Sequence, residues 1–185
     1  GQRVRNGIDY YNSLSLSDLR NAGVTVPTIY GSLRNEFKWK SMSLSFLIAW
    51  KLGHVFRRST TVPGGEYRQQ YHMDYLNRWK SPGDERWTDI PATSADPSDN
   101  LYSMFEQYEN FVTRGAHFRL QDISFSYDLP AGILPGQIFK NIQFYAYARN
   151  LGILWKANKY GLDPDYPNAD YVAPKSFSLG LKLNL

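Results

Sequence analysis

The sequence contains no cysteine. That excludes a disulfide framework and thiolate chemistry, and it is compatible with a cell-envelope protein. Long hydrophobic runs are missing too. A run such as "FLIAW" within "LSFLIAW" falls far short of the ~18 apolar residues a membrane helix needs. Helical periodicity is scarce: residues 13–23 and 70–80 have room for a turn of helix and little more. Charge of one sign is not concentrated anywhere. There are 21 Lys+Arg against 17 Asp+Glu, a formal net charge of +4, and the charges are interleaved. A nucleic-acid platform needs a basic stripe, so nucleic acid is not an expected partner. The first residues, "GQRVRNG", include neither Met nor an apolar leader segment. The expectation is a processed chain or a piece of something longer.

Catalytic constellations are also missing. His54, His72 and His117 are scattered, without the spacing of a zinc-binding helix. Asp84 and Glu85 are neighbours rather than a pair set across a cleft, as glycoside hydrolysis requires. Their expected role is to brace their loop by pairing with Arg78 or Arg86. No Ser sits in G-x-S-x-G and there is no Gly-rich phosphate loop. "DPDYPNAD" offers oxygen ligands at Asp163, Asp165, Asn168 and Asp170. It has Pro167 at position five, no Gly at six and no closing Glu, so a Pro-stiffened loop fits better than a calcium site. No cofactor, no metal site and no enzymatic activity are expected.

What the chain does have is aromatic content, at 16%, and period-two alternation. In "TIYGSLRNEFKWK", Ile29, Gly31, Leu33, Phe37 and Trp39 share one parity. Tyr30, Ser32, Arg34, Glu36 and Lys38 share the other. A tight connection near Lys40–Met42 leads to "SLSFLIAWKLGHVF", which alternates in the same way, and the two predict an antiparallel hairpin. A third strand lies in "AHFRLQDISFSYDLP". Ile123, Phe125, Tyr127 and Leu129 share a parity that Phe118 and Leu120 do not, which predicts a bulge or a change of environment near Gln121. "IQFYAYARNLGILW" and "SFSLGLKLNL" complete a set of five.

The connections between strands alternate: short, long (59–110), short (130–140), long (156–174). Outer-membrane β-barrels have this asymmetry, with short periplasmic turns and long extracellular loops. The expected fold class is therefore all-β: about five C-terminal strands of a large antiparallel transmembrane barrel. Residues 59–110 would be a long extracellular loop. The alternative is a soluble β-sandwich acting as a non-enzymatic glycan-binding module. A small hydrolase is disfavoured by the missing acid pair and nucleophile. Trp39, Trp50 and Trp155 read as interface girdle residues. Tyr67, Tyr71, Tyr75, Trp79 and Trp87 offer loop surfaces for packing, for a partner or for ligand stacking. Arg34, Glu36, Lys38, Lys51, Gln143, Tyr145, Tyr147 and Lys182 are the candidate lumen-lining residues.

Several stretches carry a family resemblance: "YGSLRNEFKWKSMSLSFLIAWKLGHVFRR", "DYLNRWKSPGDERWTDIP", "HFRLQDISFSYDLP", "YAYARNLGILWKANKYGLDPD" and "SFSLGLKLNL". In this order, over residues 7–185, they resemble the C-terminal end of SusC/RagA-family TonB-linked outer-membrane proteins of Bacteroidetes. The block from Arg78 to Glu85 is the most specific. The resemblance implies a 22-stranded barrel with an internal plug, a SusD-like surface lipoprotein as lid, and TonB-driven uptake of glycans, peptides or other large solutes. Residues 1–185 would supply one barrel segment, with the rest of the barrel, the plug, TonB and membrane lipid as partners. Two departures are the lack of a plug or TonB box in this stretch, and Leu185 where many barrels end in an aromatic.

Overall fold

The computed structural model describes residues 7–59, 73–90, 92, 108–130, 140–167 and 171–184. The elements in order are α1 (Gly7–Ser13), β1 (Ile29–Trp39), β2 (Met42–Leu52), β3 (Val55–Arg57), β4 (Val112–Arg114), β5 (His117–Asp128), β6 (Asn141–Lys156) and β7 (Ser176–Asn184). Short 3-10 turns occur at Leu16–Asp18, Met73–Asn77, Asp84–Arg86 and Glu109–Phe111. Among the described residues, no helix is long and apolar enough to cross a membrane. The chain divides into two compact units, residues 1–23 with 55–113, and residues 24–54 with 114–185.

The second unit is one antiparallel sheet of five strands in the order β1-β2-β5-β6-β7. Its register explains the alternation. Leu33 faces Ile48 and Phe37 faces Leu44 across β1–β2. Phe46 faces Ile123 and Leu44 faces Phe125 across β2–β5. Phe125 then meets Ala146, and Ala146 meets Leu179. One face is thus apolar from edge to edge. The other carries Arg34, Ser45, Asp122, Ser124, Tyr145, Tyr147 and Lys182. The apolar side chains stand in the open, with Leu179 at 87% exposure. A soluble monomer rarely exposes an apolar patch larger than a few hundred Å².

The parity switch in β5 is a bulge. Leu47 pairs with Asp122 and Ile48 with Leu120, so Gln121 is the extra residue. That residue rotates Phe118 and Leu120 back onto the apolar face. The adjoining stretch of β6 is irregular as well, with left-handed backbone at Asn150 (φ 54°) and Gly152 (φ 128°). Asn tolerates that conformation because its short amide bonds locally, and Asn150 puts the amide to further use below.

Aromatic rings mark both ends of the apolar face. Trp50, Phe118 and Trp155 form a row, with ring centroids 6.2 and 6.0 Å apart. At the other end Trp39 pairs with Met42, Met42 with Tyr127, and Tyr127 with Phe144. From Met42 to Trp50 is ~26 Å along the strand, or ~20 Å along the normal at a tilt of ~40°. That compares with an apolar band of ~25 Å in transmembrane barrels.

Two glycines are required by geometry. Gly53 ends β2 with φ 72°, and a Cβ there would lie 2.0 Å from Thr28 Oγ1. This is why the second strand stops at Leu52. The sequence pattern extends it through "GHVF"; Val55–Arg57 instead forms the separate strand β3, which pairs with β4. Gly180 lies under the Tyr145 ring on the polar face, its cross-strand partner. A Cβ there would come within 2.1 Å of Tyr145 Cζ. Gly180→Ala should therefore swing Tyr145 off its strand at a cost of about 1 kcal/mol, the scale of a displaced rotamer. A shift in the Tyr145 ring resonances of the assembled protein checks this; an unmoved ring would refute it.

The first unit is small. Among its described residues, Phe56, Ile90 and Phe111 are the buried apolar ones. Arg58 stacks on Phe111 (4.8 Å to the ring centroid) and pairs with Asp74 at 2.6 Å. Trp79 N donates to Ile90 O (2.8 Å). The stretch expected to be one irregular loop therefore contains structure of its own. Residues 60–72, 91 and 93–107 lie outside the described residues, as do 131–139, 168–170 and Leu185. The expectations attached to Tyr67, Tyr71, His72, Asn168, Asp170 and Leu185 fall there.

Candidate functional site

The sheet's polar face begins with a ladder. Arg34 grips Asp122 with two parallel bonds, NH1 to Oδ1 and NH2 to Oδ2, each 3.0 Å. The fork matches the carboxylate, which favours bidentate pairing. Ser45 takes a further bond from Arg34 (3.3 Å) and meets Ser124 at 2.8 Å. Pairing β1 with β2 and β2 with β5 puts these residues side by side. Nothing in their sequence spacing shows it.

At the end of the sheet where β2 finishes and β5 begins, the segment joining β6 and β7 folds back onto this polar face. Lys51 Nζ donates to Asp165 Oδ1 at 2.7 Å. Arg119 Nε donates to Asp165 Oδ2 at 3.0 Å, and its other arm reaches Asp163. His117 Nε2 lies 3.3 Å from the same Asp165 Oδ2, while its Nδ1 faces Gly115 O at 2.8 Å. Both ring nitrogens face acceptors, an arrangement the doubly protonated ring satisfies in full. Arg119 also reaches Asn150 Oδ1 (3.4 Å), and Asn150 donates its amide to the carbonyls of Ala173 and Pro174. Lys156 holds Gly161 O (2.6 Å) and Leu162 O (3.0 Å).

The His117 ring, followed by the Lys51 ammonium, holds the Asp165 carboxyl far below the usual carboxylate range. An unfolded Asp titrates near ~3.9, so this stabilisation is complete above that pH. It is lost only as pH falls toward the lowered folded value. His54, at the end of β2, is pushed the other way: burial lowers its pKa, with the His117 and Lys51 charges adding to the effect. Its Nδ1 is buried with no hydrogen-bond partner among the described residues. Beside the cluster opens a cleft of about 690 Å³ bordered by Tyr30, Ala49, Lys51, Gln121 and Arg119.

The candidates from the sequence divide between the units. Arg34, Lys38, Lys51, Tyr145, Tyr147 and Lys182 share the polar face of the sheet. Lys38 pairs with Glu36 (3.3 Å) near the hairpin turn. Tyr147 lies under the Arg149 guanidinium (5.1 Å) and accepts a bond from Arg149 Nε (3.1 Å). Lys182 stands opposite Gln143. Trp79 and Trp87 belong to the first unit. Trp79 Nε1 donates to Glu85 (3.1 Å), and Trp87 is exposed.

The expected pairing of Asp84 and Glu85 with arginines is corrected. Asp84 accepts from the amides of Lys80 (2.9 Å) and Ser81 (3.0 Å). Glu85 accepts from Trp79 and from the Gly83 amide (2.8 Å). Arg78 stacks on Tyr75 (3.9 Å to the ring centroid). The loop is braced, but by backbone amides and an indole. These amide bonds hold the Asp84 carboxyl below its ordinary range.

Sequence reasoning missed the roles of His117, Arg119, Asp122, Asp163 and Asp165. The one signal was charge: "DPD" places two carboxylates on a Pro-stiffened loop, and such carboxylates need cations. It is compatible with calcium and fits a Pro-stiffened loop better; neither names the cations, which Arg119, Lys51 and His117 supply.

No protein-family model matches the chain. A search of curated proteins finds similarity to TonB-dependent receptor P3 of Formosa agariphila. It is 23% identical over 163 residues, 88% of this chain and 14% of the relative. Among solved structures, the chain resembles the RagAB peptide transporter (TM-score 0.63, 25% identity, 92% of this chain and 19% of that one). It also resembles the RagAB peptide importer in the open-open state (TM-score 0.61, 23% identity, 87% and 17%). The chain thus spans less than a fifth of the length of each of these three proteins.

Proposed function

We propose, from the premise that this chain is a partial member of the SusC/RagA family of TonB-linked outer-membrane proteins, that it builds barrel wall and outer loops in an importer of large polar solutes. The observation that carries this is the two-faced sheet. An apolar face flanked by aromatic rows suits lipid. A polar face with an inward-folded loop suits an aqueous passage. In lipid every backbone polar group needs a partner, so the free edges of β1 and β7 call for further strands of the same barrel.

On this reading the protein resides in the outer membrane and crosses it several times. Residues 59–110 and 156–174 face the cell exterior, and the turns at Lys40–Ser41 and 130–140 face the periplasm. The plug lies elsewhere in the full protein, and TonB supplies the energy. A SusD-like lipoprotein covers the outer rim, as the family resemblance implies. The exposed Trp87 lies in the long loop and is a contact for that lipoprotein or for solute. Oligopeptides are the favoured cargo, since the structural relatives are described as peptide importers; glycans are the other. No residue here performs covalent chemistry.

Cells carrying the full-length protein should accumulate a fluorescent oligopeptide in the periplasm. A protonophore, or loss of TonB, should abolish that accumulation. Accumulation that persists after either treatment would contradict the proposal.

A further inference from the structure

We infer that Lys51, His117 and Arg119 form a seat for a solute carboxylate, occupied in this structure by the chain's own Asp165. The inference rests on the transport reading for its setting, since it places the seat on the solute-facing wall. Its chemistry stands on the cluster alone. One carboxylate receives Lys51 Nζ at 2.7 Å, Arg119 Nε at 3.0 Å and His117 Nε2 at 3.3 Å. These donors come from two adjacent strands in fixed register, with Lys51 directly opposite His117. Arg119 is 4% exposed and His117 is buried; both stand on β5, where His117 Nδ1 is held by Gly115 O and Arg119 also reaches Asn150 of β6.

The carboxylate is the part that can leave. It arrives on a segment between strands, while the donors sit on the sheet. Without it the seat keeps Lys51, His117 and the Nε of Arg119, an arrangement preorganised for an anion. Lys51 remains 48% exposed and borders the cleft of about 690 Å³. That cleft has room for the rest of a solute, and Tyr30 and Gln121 offer it an aromatic surface and an amide. Two states follow. In one, Asp165 fills the seat. With Asp165 turned out, a carboxylate-bearing solute takes the same three donors while Asp163 keeps its bond to the other arm of Arg119. The ligand class is a small or terminal carboxylate: a peptide C-terminus, an acidic side chain or a uronic acid.

The test is equilibrium binding of succinate to the purified full-length protein in detergent, with neutral succinamide as the control. When a competing segment occupies a site, apparent affinity falls in proportion to the open fraction, so Asp165→Ala should bind succinate about tenfold more tightly than wild type. Adding Lys51→Gln to that variant should erase the gain, and succinamide should bind neither protein. The proposal is overturned if Asp165→Ala binds succinate no better than wild type, if the gain survives Lys51→Gln, or if succinamide gains equally. Asp165→Asn keeps the side chain's shape and serves if the Ala variant does not assemble; a smaller gain in the same direction is expected. If neither variant yields a heat-modifiable barrel, Asp165 is a structural strut and the proposal falls. No step depends on TonB or uptake, so a failed seat leaves the transport reading intact, and failed uptake leaves the seat intact.

Discussion

Arg119→Met in the full-length protein should destabilise the assembled barrel by about 3–5 kcal/mol, the cost of removing one partner from a buried ion pair. The Arg119 guanidinium is the hub of the inward-folded loop. It bonds Asp163 and Asp165 and reaches Asn150, whose amide holds the chain at Ala173 and Pro174. Methionine fills much of the space but leaves Asp163 enclosed with its charge unmatched, while Lys51 and His117 still hold Asp165. Arg119→Lys should recover only part of the loss, because one ammonium cannot span two carboxylates as the forked guanidinium does. Urea unfolding in lipid vesicles, read by heat-modifiable mobility, measures the difference. A loss below about 1 kcal/mol, the value of an exposed pair, would mean that the loop is not anchored here.

Leu181→Arg should lower the folded fraction in outer membranes by the equivalent of ~2–4 kcal/mol, the range for a cation on the lipid face near the midplane. Leu181 stands opposite Phe144 on the apolar face. Leu179 and Leu181 are the inner two of the four apolar positions of β7, so they lie deepest. Lys182 points to the other face, opposite Gln143. Lys182→Gln should assemble as wild type does. Wild-type levels for Leu181→Arg combined with loss for Lys182→Gln would reverse the two faces.

The sheet was readable because its signal is local. Period-two alternation fixes which residues share a face, and β1, the tight turn and β2 follow from adjacent residues. The bulge at Gln121 was readable for the same reason: only an extra residue reconciles Phe118 and Leu120 with Ile123 and Phe125. The end of β2 was missed because Val55 and Phe56 resume an apolar pattern, while the stop comes from the left-handed backbone of Gly53 and its contact with Thr28. The loop cluster was out of reach for another reason. Arg119 and Asp163 are 44 residues apart, and Lys51 and Asp165 are 114 apart. Alternation puts Lys51 and Arg119 on the polar face, but no periodic signal shows where a loop returns. Asp122 was visible as a polar-face residue; its grip on Arg34 follows only from the β1-β2-β5 strand order.

This stretch has no cysteine, so once any cysteine elsewhere in the full-length protein is replaced, an introduced thiol is unique. Spin labels placed one at a time at residues 176–184 of the full-length protein in lipid would read both faces of β7 directly. The account predicts a period of two. Oxygen, which partitions into lipid, should reach labels at 177, 179, 181 and 183. A water-soluble nickel chelate should prefer 176, 178, 180, 182 and 184. The opposite parity, or no alternation, would contradict the barrel-wall assignment.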